Sequence, residues 1–282
     1  MLAPRPWIAE DLISPSGCSR GLSSPLANLP VFAIIHESDC MNSPEALFSF
    51  GGMSVVVRRT DRIESRSRPS GRGMLFAIEG MDGSGKTTVA SKVGKELVRK
   101  GRQVRLTREP SEFETGDVVR SRLTRPLSDS LVEAEIDADY FLADRVYHNF
   151  VFIKPLLEHG VSIVSDRYEL GTVAYQSTQG LPIDYLLDRR RWLIRMGLVE
   201  KAAVHFVLDL QPATALKRLA SRGKSEKFDD VAFLRRLRKT YESLPSLVDD
   251  RIVFINAERP VARVVDDLYS RIQADLDRIA RG

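Results

Sequence analysis

Met74-Leu-Phe-Ala-Ile-Glu79-Gly80-Met81-Asp82-Gly83-Ser84-Gly85-Lys86-Thr87-Thr88 decides how the rest of this chain is read. A short apolar run leads into Gly-x-x-x-x-Gly-Lys-Thr, and a segment with helical character follows. This is the phosphate-binding P-loop in the context of strand, loop and helix that the motif requires. Backbone N–H groups of the loop and of the helix N-terminus must converge on phosphate oxygens, and glycines let the chain curl that tightly. Lys86 adds a point charge, and the Thr87 hydroxyl can reach a magnesium ion. The competing reading is a Gly-rich turn that binds nothing.

From residue 74 onward, apolar strand-like runs alternate with amphipathic segments, which predicts an α/β protein with a parallel sheet. The expected strands are 75–79, 103–107, 161–165, 203–208 and 251–256, and the expected helices lie near 86–100, 130–158, 182–198, 212–221, 229–247 and 260–280. Ligands in such a sheet bind beyond the carboxyl ends of the strands, so residues there carry the functional reading.

The second strand ends in Thr107-Arg108-Glu109-Pro110. A planar guanidinium beside a P-loop is suited to a second anion, although a surface arginine before a proline turn reads the same way. Phe141 and Arg145 are four apart in a helical stretch and share a face, a pairing that can stack a base and bond its edge. Taken alone, Phe141 reads equally as core, Arg145 as solvated and His148 as structural. The third strand delivers Asp166-Arg167-Tyr168. An aspartate there commonly holds magnesium, and Arg167 would lie where phosphate charge develops. A buried structural ion pair is the alternative. Ala174-Tyr175-Gln176 offers a ring and an amide for a sugar or base pocket. The basic break at 221–230, containing Arg222, looks like a short lid over phosphates or an ordinary connection between helices.

Together these segments resemble thymidylate kinase, a P-loop nucleoside monophosphate kinase. The resemblance rests on Glu-Gly-x-Asp-Gly-x-Gly-Lys-Thr-Thr at 79–88, Arg-Glu-Pro at 108–110, Phe-x-Ala-Asp-Arg-x-x-His at 141–148, and Asp-Arg-Tyr with Ala-Tyr-Gln at 166–176. It implies a three-layer P-loop kinase fold whose five parallel strands are ordered 2-3-1-4-5. It also implies MgATP-dependent phosphorylation of dTMP to dTDP in the cytoplasm, as a step of dTTP synthesis, by a homodimer with no nucleic-acid or membrane partner. ATP would lie along Gly80, Met81, Asp82, Gly83, Ser84, Gly85, Lys86, Thr87 and Thr88, with magnesium on Thr87 and Asp166. The acceptor would meet Arg108, Phe141, Arg145, Arg167, Thr172, Tyr175 and Gln176. Catalytic roles would fall on Lys86, Arg167, Asp82 and Arg222. Three segments depart from the family pattern: Ser111-Glu112-Phe113 replaces Gly-Gly-Thr, Gly171 replaces a serine, and Glu226-Lys227-Phe228-Asp229 replaces the lid's Asp-Arg-Phe/Ile-Glu. These leave open a P-loop kinase for another nucleotide or small acceptor, or an impaired nucleotide-binding regulatory module.

Residues 1–73 differ from the remainder. They contain no lysine, hold half of the prolines, and close in an Arg/Ser-rich stretch that reads as a linker. This segment is expected to be a disordered extension, a consequence of start-site choice, or a small module without assigned activity. The whole chain of 282 residues carries a formal charge of +4, with a pI near 9.1. That suits anionic substrates but is too mild to argue for nucleic acid. Cys18 and Cys40 have no metal-ligand spacing.

Overall fold

The computed structural model describes residues 45–50, 53–58, 71–127, 130–221, 228 and 230–281. The chain divides into two units, residues 1–65 and 66–282. In the first, β1 (Glu45–Phe50) and β2 (Met53–Arg58) pair antiparallel, with Glu45 opposite Arg58 and Phe50 opposite Met53. Of the rest of the expected N-terminal extension, residues 71–73 are described and fall in the second unit, and the remainder lies outside the described residues.

In the second unit, β3 (Leu75–Glu79), β4 (Val104–Arg108), β5 (Ser162–Asp166), β6 (Val204–Asp209) and β7 (Ile252–Asn256) form one parallel sheet. The spatial order is β4-β5-β3-β6-β7, which is 2-3-1-4-5 counted from the P-loop strand. The helices are α1 (Lys86–Arg99), α2 (Glu114–Leu123), α3 (Leu131–His148), α4 (Lys154–Glu158), α5 (Glu169–Thr178), α6 (Ile183–Arg195), α7 (Pro212–Ala220), α8 (Val231–Ser243) and α9 (Val261–Arg281). A π-helical turn at Asn149–Ile153 joins α3 to α4, so the single expected helix 130–158 bends there without breaking.

The central strand shows why the sheet must be covered on both sides. Along β3, Phe76 and Ile78 face one hydrophobic cluster, whereas Leu75 and Ala77 face the other. The period of two is hidden because both faces are buried, which is why the strand reads as a continuous apolar run. Edge strands β4 and β7 keep several exposed positions. Burying the middle of the sheet and crowding its carboxyl end with loops leaves β3 and β5 to aim their last residues into one place.

Two helices, α2 and α5, are additional to the six expected from sequence. Each carries a glycine in its first turn, Gly116 and Gly171, which weakens the propensity signal. In α5, Glu169 to Gln176 are all buried, so no polar stripe marks a helical period.

Gly116 is fixed by packing: a Cβ built there would lie 2.0 Å from the Ser111 carbonyl oxygen. Gly116→Ala is therefore expected to cost about 1–3 kcal/mol of overpacking. At about 2–4 °C per kcal/mol, thermal melts will resolve this. An unchanged midpoint would show that the Ser111 turn yields freely.

Candidate active site

The P-loop passes from β3 into α1 through Gly85, which sits in the left-handed region at φ 96, and no side chain caps the helix. An uncapped N-terminus presents its first N–H groups to an incoming anion. Lys86 folds back over the loop: its Nζ donates to the carbonyls of Gly80 (2.9 Å) and Met81 (2.8 Å) and lies 3.7 Å from Asp82. At the end of β5, Asp166 Oδ2 accepts from the Thr87 hydroxyl at 2.5 Å, while Asp166 Oδ1 is buried without a partner. A hydroxyl beside a carboxylate with one oxygen in reserve fits a hard divalent cation of the magnesium type.

Asp82 stands between the loop and the next pocket. Its carboxylate binds the Arg167 guanidinium and accepts from the Tyr175 hydroxyl at 2.9 Å. Burial alone would raise this carboxyl, but Arg167, Lys86 and Tyr175 override it and hold it at about 2. Burial and the neighbouring Arg167 push the Lys86 ammonium down to about 8, against the pull of Asp82 and Asp166. Burial likewise drives the carboxyl of Glu79, at the end of β3, up to about 7.

Beyond Asp82 opens a cavity. Phe141 from α3, and Thr172, Tyr175 and Gln176 from α5, line it with Arg145, Arg167 and Phe228. Phe228 packs edge-on against Tyr175, with centroids 5.1 Å apart, and stacks on Phe233 at 4.9 Å. Arg145 is fully buried, contrary to the solvated reading of that residue in isolation. Its Nε and Nη2 both donate to Glu109 Oε2, at 2.9 and 2.6 Å, and Nη2 also reaches Thr172 Oγ1 at 3.0 Å. Arg145 Nη1 and Gln176 Oε1 remain buried with no hydrogen-bond partner, one donor and one acceptor on the same cavity. His148 takes its structural reading, within reach of Thr107 Oγ1 at 2.7 Å.

The altered segment after Pro110 is held from α3. Asp144 accepts from the Ser111 N–H (2.8 Å), the Ser111 hydroxyl (2.5 Å) and the Thr115 hydroxyl (2.6 Å). Arg108 does not line the cavity. It is half-exposed at the end of β4, with its Nε 3.2 Å from Glu112. Of the pair read as either magnesium-and-phosphate residues or a buried ion pair, Asp166 bonds the Thr87 hydroxyl and Arg167 forms an ion pair with Asp82. Arg222 and the expected lid residues 222–227 and 229 lie outside the described residues. Sequence reasoning assigned no role to Glu79, Glu109 or Asp144. A carboxylate flanked by apolar or motif residues was the available signal, but each partner is at least 29 positions away.

The family model described as thymidylate kinase matches residues 78–268. The chain belongs to the thymidylate kinase family. Among curated proteins it is similar to a "Probable thymidylate kinase" of Pyrobaculum calidifontis, 36% identical over 208 residues, covering 74% of this chain and all of that one. Proteins of the same description from Archaeoglobus fulgidus and Methanosarcina acetivorans are 32% and 31% identical, covering 97% and 100% of their own lengths and 72% of this chain each. The matched span contains the whole P-loop from Gly80, the Arg145 and Arg167 pockets, and α5. No helix among the described residues is long and apolar enough to cross a membrane.

The depressed Lys86 makes ligand binding proton-linked. A polyphosphate against this ammonium favours its charged form, so binding near pH 8 takes up protons. Calorimetric titration with ATP at pH 8, in buffers of differing ionisation enthalpy, is expected to show uptake of up to about half a proton. The uptake disappears at pH 6.5 and in Lys86→Met. Identical uptake in that variant would assign it to another group.

Proposed function

We propose that the protein transfers the γ-phosphoryl group of ATP to dTMP, yielding dTDP and ADP. The observation that carries this reading is the pair of unsatisfied atoms on the acceptor cavity, Arg145 Nη1 and Gln176 Oε1. A thymine edge carries a carbonyl oxygen and an N–H, which is the complement of that donor and acceptor. Phe141 supplies a flat face for the base, and the Tyr175 ring, held by its bond to Asp82, crowds the sugar's 2′ position against ribonucleotides. Thr172 holds Arg145 toward the base edge.

On the donor side, ATP phosphates follow residues 80–88, with Lys86 exchanging its carbonyl contacts for phosphate oxygens. Thr87 and Asp166 would hold magnesium, which when bound would supply neutralisation of phosphate charge. Arg167 exchanges Asp82 for the phosphates and carries their developing charge, while Asp82 is left facing the acceptor. The acceptor phosphate monoester is already largely ionised near neutrality, so no general base is required, and catalysis is positioning plus charge stabilisation. The absence of a nucleophile–base pair from the site residues fits that chemistry. Arg108 turns from Glu112 to the dTMP phosphate. Residues from Arg72 onward constitute the catalytic unit, since Arg72 pairs with Glu200 and the Gly73 N–H bonds the Leu157 carbonyl.

A homodimer through α3 and α6 accompanies this reading. Val132 and Tyr140 on α3, and Tyr185 and Trp192 on α6, are exposed, and Glu135 links the two helices through Tyr185 and Arg189. Light scattering is expected to give twice the chain mass, and Trp192→Glu to shift it toward one chain. A monodisperse monomer for the unsubstituted protein would remove this assignment.

Steady-state assays with MgATP are expected to turn over dTMP faster than dUMP, dCMP, dGMP or AMP. Lys86→Ala should lower kcat at least a hundredfold, about 2.7 kcal/mol of transition-state stabilisation, without loss of fold. Equal rates across the acceptors would defeat the thymidylate assignment.

A further inference from the structure

Arg167 is the one non-glycine residue with positive φ, 73°, among the described residues. Left-handed backbone is unfavourable for a side chain of this kind and persists where the surroundings over-determine it. Four hydrogen bonds do so here. The Arg167 N–H donates to the Ile78 carbonyl at 2.9 Å, and the Ser165 hydroxyl donates to the Arg167 carbonyl at 2.6 Å. The Tyr168 and Gly171 N–H groups both donate to Glu79 Oε1, at 2.9 and 3.2 Å.

We propose that Glu79 is the positioning residue that locks the Arg167 turn, and that it acts in phosphoryl transfer through this lock and not by touching either nucleotide. The inference rests on the phosphoryl-transfer reading above. Glu79 closes β3 and directly precedes Gly80, the first P-loop residue, so one side chain belongs to both structures that must meet around the transferring phosphate. Its carboxylate is wholly buried and serves α5 as a cap borrowed from another strand, because no side chain of α5's own flanking residues caps that helix. The second oxygen, Oε2, is buried without a hydrogen-bond partner. Gly171 makes the approach possible: a Cβ built there would lie 2.9 Å from Oε2. The family's usual serine is absent at this position, so in this chain the lock consists of backbone N–H groups on a single carboxylate oxygen. Arg167 then extends from the fixed turn to Asp82, and its Nη1 lies 3.5 Å from the Tyr175 hydroxyl.

The test compares Glu79→Gln, which keeps a carbonyl acceptor, with Glu79→Ala and the volume-conserving Glu79→Met, which do not. Amide hydrogen exchange at Tyr168 and Gly171 is expected to accelerate at least tenfold in the Ala and Met variants and to stay near the unsubstituted rate in Gln. With dTMP and MgATP, kcat falls at least thirtyfold in Ala and Met and less than threefold in Gln, while KM for ATP moves less than threefold throughout. Should neither Ala nor Met fold, Gly171→Ala displaces the carboxylate by its added methyl and is expected to reproduce both effects. A folded Met variant with unchanged kcat, or Gln as slow as Met, overturns the proposal. If the unsubstituted protein does not phosphorylate dTMP, the functional reading fails by itself, and the exchange rates still decide whether Glu79 holds the turn.

Discussion

The ion pair between Asp82 and Arg167 is the constraint around which the site is built. One partner comes from the loop after β3 and the other from the turn after β5, adjacent strands in the centre of the sheet. Neither charge is affordable alone at this depth, since an unpaired buried ion loses its hydration without compensation. Lys86 on one side and the Tyr175 hydroxyl on the other complete the set, so the P-loop, β5 and α5 are tied together before any ligand arrives. Such a pair adds little net stability, because desolvation offsets most of the attraction. Its value lies in geometry: the charges around the P-loop are held in fixed places by one another in the free protein.

Arg145 shows the same logic with a different outcome. Its guanidinium is neutralised by Glu109 on one edge, propped by Thr172 on another, and left unsatisfied at Nη1 on the cavity side. A buried donor with no partner is costly, and a ligand group that pairs with it recovers that cost on binding. Selectivity of this kind is strong, because a base lacking the complementary acceptor leaves the donor stranded.

Much of this was legible in the chain. The five strands of the sheet, their parallel arrangement and the P-loop follow from apolar runs and glycine spacing, with strand boundaries moved by about one residue. Phe141 and Arg145 share a face as their spacing requires, and Tyr175 and Gln176 reach the same cavity. What sequence could not supply was pairing across distance. Glu109 meets Arg145 over 36 positions and Asp144 meets Ser111 over 33, contacts made only once α3 meets the turn that follows β4. Nor does composition disclose the left-handed Arg167, which tertiary hydrogen bonds impose against local preference. Arg108 marks the reverse case: its motif points to the acceptor, but its side chain rests on Glu112 at the rim.

The burial of α5 from Glu169 to Gln176 bears on how this enzyme can change over evolutionary time. Thr172, Tyr175 and Gln176 line the cavity from a helix that also supplies Leu170, Val173 and Ala174 to the core. These eight residues thus serve two masters, and change along this stretch is coupled to the integrity of the fold. Variation has freer routes at the rim, where Glu112 is solvent-exposed. Of the departures from the family pattern, Glu112 sits on that exposed rim, Ser111 is buried against Asp144, and Gly171 lies in α5 beside Glu79.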